Sequence, residues 1–132
     1  MGSDGELPAP ALDHVQVAAP AGCEAAARAF YGGVLGLEEV PKPAALHARG
    51  GVWFALSGAQ LHVGVAEPFA AAAAKAHPAL RVPSPAALEE LAQRLVAAGA
   101  PVVRPSEAEI PGVRRLFTAD PWGNRLELLA TA

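Results

Sequence analysis

The sequence contains a single cysteine, Cys23, so no internal disulfide can form, and a reducing compartment, the cytoplasm, is the expected location. It has no basic excess: 10 Lys and Arg stand against 13 Asp and Glu, a formal charge of −3. Without an electropositive field, a nucleic-acid partner is not expected. Long apolar runs are also missing. The longest uncharged stretch, residues 50–66, is interrupted by Ser57, Gln60, His62 and several glycines, short of the roughly 18 apolar residues that span a bilayer. Residues 1–6 carry acids and no apolar segment, so no secretory signal is expected and no membrane contact is implied.

Aromatics make up 5% and charged residues 17% of the chain, but 52% is hydrophobic. That is ample core material for one domain in 132 residues, although 32 of them are alanines that each bury little area. Disorder is excluded as the main state. A small-molecule partner fits this composition.

Proline, glycine and acids without periodicity make residues 1–11 a flexible tail, and residues 12–132 a single domain. His14 to Val17 alternates as a half-buried strand. A short helix follows, with Cys23, Ala26, Ala27, Phe30 and Val34 at helical spacing and Gly36 past its end. Leu37 to Val40 is a brief strand, and Gly51 to Leu56 and Ala59 to Val65 form a hairpin across Ser57-Gly58. After a connector at 67–76 the pattern restarts. His77 to Val82 is a strand, and Ser84 caps a helix that has Pro85 in its first turn and Gly99 at its end. Val102-Val103, Arg114 to Ala119 and Asn124 to Leu129 complete the series.

Equivalent landmarks recur at nearly one offset: His14 to His77 and Gly36 to Gly99 are both 63 residues apart, and His62 to Glu127 is 65. The economical reading is an α+β fold of two βαβββ modules, at about 12–66 and 77–130. Period-2 alternation then gives every strand an aliphatic side and a polar side. His14 shares its side with Gln16, His62 with Gln60, His77 with Arg81, and Glu127 with Arg125. If these polar sides line one concavity, three imidazoles and one carboxylate meet. That donor set suits one divalent ion, Zn, Ni, Co, Fe or Mn, with positions open for substrate. Trp53, Arg115 and Phe117 would line the pocket beside Gln16, the alternative role for Trp53 and Phe117 being plain core packing. Lys42, Arg49 and Lys75 are further cations able to clamp an anion, and Asp120-Pro-Trp-Gly123 is a turn.

Four segments, Leu12-Asp-His-Val-Gln-Val17, Ala29-Phe-Tyr-Gly-Gly-Val-Leu-Gly-Leu37, His77 at the head of the second module and Asp120-Pro-Trp-Gly-Asn-Arg-Leu-Glu-Leu128, resemble the vicinal oxygen chelate superfamily. That group holds glyoxalase I, extradiol dioxygenases, methylmalonyl-CoA epimerase and the fosfomycin and bleomycin resistance proteins. The resemblance covers Leu12 to Leu129. It implies curved mixed sheets around a metal held by His14, His62, His77 and Glu127, with Glu127 as possible base, and a homodimer that assembles sites across two chains. It also implies Lewis-acid chemistry on an enolate or oxyanion, as in a lyase, isomerase or epimerase. Two alternatives remain in the same superfamily. An extradiol-type dioxygenase with Fe(II) or Mn(II) would need one more histidine, for which only His47 is left, and a bleomycin-resistance-like protein would bind a drug or metabolite without catalysis. At the fourth-strand position glyoxalase I has a glutamate where this chain has His62.

Overall fold

A computed structural model describes residues 7–73 and 75–132. The tail expected at 1–11 lies partly outside the described residues; residues 7–11 are exposed and carry no regular structure. Two sheets carry the fold. In the first, β1 (His14–Ala19) is the edge, paired in parallel with β4 (Ala59–Val65), which pairs antiparallel with β3 (Val52–Leu56) and so to β2 (Glu39–Val40). In the second, β5 (Ala79–Arg81) pairs in parallel with β7 (Arg125–Thr131), which pairs antiparallel with β6 (Val113–Ala119). Helix α1 (Glu24–Ala27) follows β1 and α2 (Pro85–Ala97) follows β5, so each module is a parallel crossover plus a hairpin extension.

Three local departures from the sequence reading have physical causes. The first helix keeps α geometry for one turn and then widens into a π-helix over Arg28–Val34, where the Leu35 N–H bonds the Phe30 carbonyl at 3.0 Å. Gly32-Gly33 inside it adds no side chains to hold the tighter winding. The expected strand at 102–103 is only an isolated bridge from Val103 to Phe117, since Pro101 and Pro105 withhold ladder donors on both sides. His77 precedes β5, because Pro78 has no N–H with which to begin the ladder. The second helix is as expected, with the Ser84 hydroxyl accepting from the Ala87 N–H at 3.1 Å.

The aliphatic sides of both sheets share one core. Val17, Phe54, Leu61 and Val63 come from the first module, and Leu88, Leu95, Leu116, Leu126 and Leu128 from the second. Each such side chain, fully buried, contributes about 1.5–3 kcal/mol. The modules are also joined by a buried polar knot. Asp120 Oδ2 accepts the Tyr31 hydroxyl at 2.7 Å and Asn124 Nδ2 at 2.8 Å, while Oδ1 accepts the Trp122 and Asn124 N–H groups. Asn124 Nδ2 also donates to the Ala18 carbonyl on β1. Among the described residues, no helix is long and apolar enough to cross a membrane.

Candidate functional site

Polar sides of the two sheets carry the expected residues as two separate pairs. On the first sheet the parallel register sets Gln16 beside His62, and the antiparallel register sets Trp53 beside His62. All side chains on that row point away from the core. Gly64 leaves room for Gln16, since a Cβ there would lie 2.7 Å from the Gln16 side chain. His62 is clamped between two rings, with Trp53 stacked at 3.9 Å and 1° on one face and His14 at 4.3 Å and 16° on the other. This wall bounds an open depression lined by Gln16, Leu46, Gln60 and the three rings.

Each imidazole on the wall has one nitrogen engaged. His14 Nδ1 lies 2.8 Å from Asp13 Oδ2, and His62 Nε2 shares a 2.8 Å hydrogen bond with Gln60 Oε1. That leaves His14 Nε2 and His62 Nδ1, with the engaged nitrogen fixing the tautomer, the arrangement that metal-ligating histidines favour. Burial, reinforced by the adjacent His14 ring, lowers the His62 pKa. The folded chain therefore favours neutral His62, whereas the unfolded chain takes up that proton near roughly pH 6.5. Stability from this source is complete above that value and is lost as pH falls toward the folded pKa. Thermal melts of chelator-treated protein should show Tm falling below about pH 6.5, with a shallower fall in His62→Gln; equal slopes in both would refute this assignment.

On the second sheet Glu127 stands between Ala79 and Phe117 in register. Its side chain is 10% exposed and makes two contacts: His77 Nε2 at 3.0 Å and Arg115 at 3.5 Å. The other ring nitrogen of His77, Nδ1, is 2.9 Å from the Lys75 carbonyl. A carbonyl accepts only from a protonated Nδ1, so in a neutral ring the Nε2 lone pair faces a carboxylate. Two acceptors in contact require a positive charge between them: a second proton or a cation. Two neighbouring ligands about 2.1 Å from one octahedral ion are themselves ~3.0 Å apart, so the His77–Glu127 spacing of 3.0 Å fits a metal edge as well as it fits a hydrogen bond. Phe117 lies beside the pair, with Arg125 at 4.0 Å over its ring and His77 edge-on at 5.5 Å.

Among the described residues, no three of His, Cys, Asp and Glu gather as a set that could hold a metal. One chain thus brings His14 to His62 and His77 to Glu127, and does not bring the two pairs together. Lys42 is spent on the Gly50 and Gly51 carbonyls, and Lys75 serves through its backbone. His47 bonds the Lys42 carbonyl and lines a different depression, with Glu24, Arg28 and Glu39. The sequence places Gln60 beside His62 but assigns no role to it, to Asp13 or to Glu109. Period 2 places Gln60 on the face of His62, a usable signal, but nothing local marks Glu109 as the partner of Arg115 at 2.7 Å.

Residues 11–128 match the family model described as the Glyoxalase/Bleomycin resistance protein/Dioxygenase superfamily. A glyoxalase family protein from Bacillus anthracis is 42% identical, with 96% of this chain and 99% of that one covered and a TM-score of 0.85. Two more distant structures share the fold. The lactoylglutathione lyase of Agrobacterium tumefaciens is 24% identical over 94% of this chain and 96% of its own, with a TM-score of 0.70. A genomically encoded fosfomycin resistance protein of Listeria monocytogenes is 15% identical over 96% of both chains, at 0.69. No curated protein matches the chain.

Proposed function

The chain belongs to the Glyoxalase/Bleomycin resistance protein/Dioxygenase superfamily, and from that premise we propose that it is a divalent-metal enzyme, a lyase or an isomerase or epimerase, acting on a small substrate with two adjacent oxygens. The observation that carries the reading is the His77–Glu127 pair, an imidazole nitrogen and a carboxylate oxygen 3.0 Å apart, the spacing of adjacent ligands on one ion as well as of a hydrogen bond. His14, His62, His77 and Glu127 would hold the ion. When bound, it supplies Lewis-acid stabilisation of negative charge developing on substrate oxygen.

Each polar side lies on the far side of its own sheet from the shared core, so a complete ligand set takes the first-module pair of one copy and the second-module pair of another. A homodimer with two equivalent sites follows from that pairing. Within each site the protein groups divide the work. Glu127, the only carboxylate of the four, would accept or return the substrate proton. Arg115 beside it balances its charge. Asp13 and Gln60 orient the first-module rings, and Trp53 and Phe117 exclude water on either wall. The single cysteine supports a cytoplasmic setting.

Ring-cleaving dioxygenase chemistry draws less support, because the remaining histidine, His47, is engaged outside this depression. Elemental analysis of protein purified without chelator decides between enzyme and binder. About one divalent ion per chain is expected; a metal-free parent that still binds aromatic ligands would favour a non-catalytic drug or metabolite binding protein.

A further inference from the structure

Arg115 is almost enclosed, its side chain 12% exposed, yet its two terminal nitrogens serve different carboxylates. One lies 3.5 Å from Glu127, which is fixed on β7. The other donates at 2.7 Å to Glu109, which is 57% exposed. Glu109 belongs to a loop that closes on itself: its N–H bonds the Ser106 carbonyl at 3.1 Å, and the Ala108 N–H bonds the Ser106 hydroxyl at 3.2 Å. A nearly enclosed guanidinium thus offers its outer arm to a carboxylate on a surface loop, on the very face that carries His77, Glu127 and Phe117.

We propose that Arg115 is the carboxylate-binding group for the substrate of this site, and that Glu109 fills its place until a small carboxylate-bearing substrate displaces it. The inference rests on reading the β6–β7 face as a ligand site, and it names the substrate class. Charge favours the exchange, because the incoming carboxylate replaces Glu109 like for like and leaves Arg115 neutralised in either state. Geometry favours it too, since the guanidinium keeps Glu127 on its inner arm while the outer arm changes partner. The exposed Glu109 contact is weak enough to yield, as pairs between a loop carboxylate and an arginine contribute little. A phosphate would bring about twice the charge to an arm already suited to one carboxylate.

Titration of the labelled full-length chain by NMR, once after chelator treatment and once reloaded with Zn(II), tests this with pyruvate, its neutral analogue pyruvamide, and inorganic phosphate. Glu109→Gln should tighten pyruvate binding by about 2- to 5-fold, and Arg115→Gln should weaken it by about 10-fold or more. Pyruvamide should change by less than about 2-fold in both. The exposed loop position of Glu109 keeps the test valid should Arg115→Gln fold poorly. Pyruvate and pyruvamide responding alike in parent and variants, or phosphate binding as tightly as pyruvate, would overturn the proposal. A chain that takes up no Zn(II) but retains the pyruvate contrast would overturn the metal reading and leave this one standing.

Discussion

Glu127→Gln protein is expected to lose metal affinity by about 100-fold or more and activity to near background, because it gives up the one anionic donor of the set. Glutamine keeps the shape and retains a carbonyl oxygen, so the change isolates charge. The fold should survive. Arg115 still has Glu109 at 2.7 Å, and Glu127 sits on the polar side of its sheet rather than in the core. With the Arg115 charge still met by Glu109 and the glutamine amide in place of the carboxylate, the substitution costs about 1 kcal/mol, one hydrogen bond's share. Chelator competition measures the affinity and thermal melting measures the fold. Loss of metal with Tm shifted by only a few degrees is the expected combination; unchanged metal affinity would remove Glu127 from the ligand set.

Asp120→Ala is expected to have the largest effect on stability. The carboxylate takes four hydrogen bonds, from the Tyr31 hydroxyl, the Asn124 side chain and two backbone N–H groups. Its removal strands buried donors at the junction of the two modules, at a cost of about 3–5 kcal/mol. For a domain of this size that lowers Tm by roughly 10 °C or more. Burial and the neighbouring Asp120 raise the Tyr31 pKa, so the hydroxyl stays a donor. Tyr31→Phe should therefore lose only about 1–2 kcal/mol, one bond's share. Calorimetry on both variants checks the ranking; a Tyr31→Phe loss equal to that of Asp120→Ala would mean that the knot is not organised by the carboxylate. The turn at 120–123 thus does more than reverse the chain, since it ties β7 to β1 and sets the position of Glu127.

Faces were more legible in the sequence than edges were. Alternation along His14 to Val17, Gln60 to Val65 and Arg125 to Leu129 put polar and aliphatic residues on opposite sides, because a sheet covered on one face imposes period 2. The 63-residue offset gave the two modules, since a duplicated unit repeats its landmarks. Local rules could not reach the π-helix at Arg28–Val34, which differs from an α-helix by one residue per bond. Nor could they see Tyr31 meeting Asp120, 89 residues apart. The same limit applies to the site. Each pair is readable from its own module, but how the pairs face one another depends on how whole sheets pack, and the shared core turns both polar sides outward.

Co-expression of two variants, His14→Ala and Glu127→Ala, tests the proposed shared site most directly. Each alone damages both sites of its dimer and should carry little metal. In a mixed dimer, one site collects both lesions and the other collects none. Random assortment should therefore restore about one quarter of the parent's metal. Metal that stays at the level of the single variants, with mixed dimers shown to be present, would contradict a site completed by a second copy.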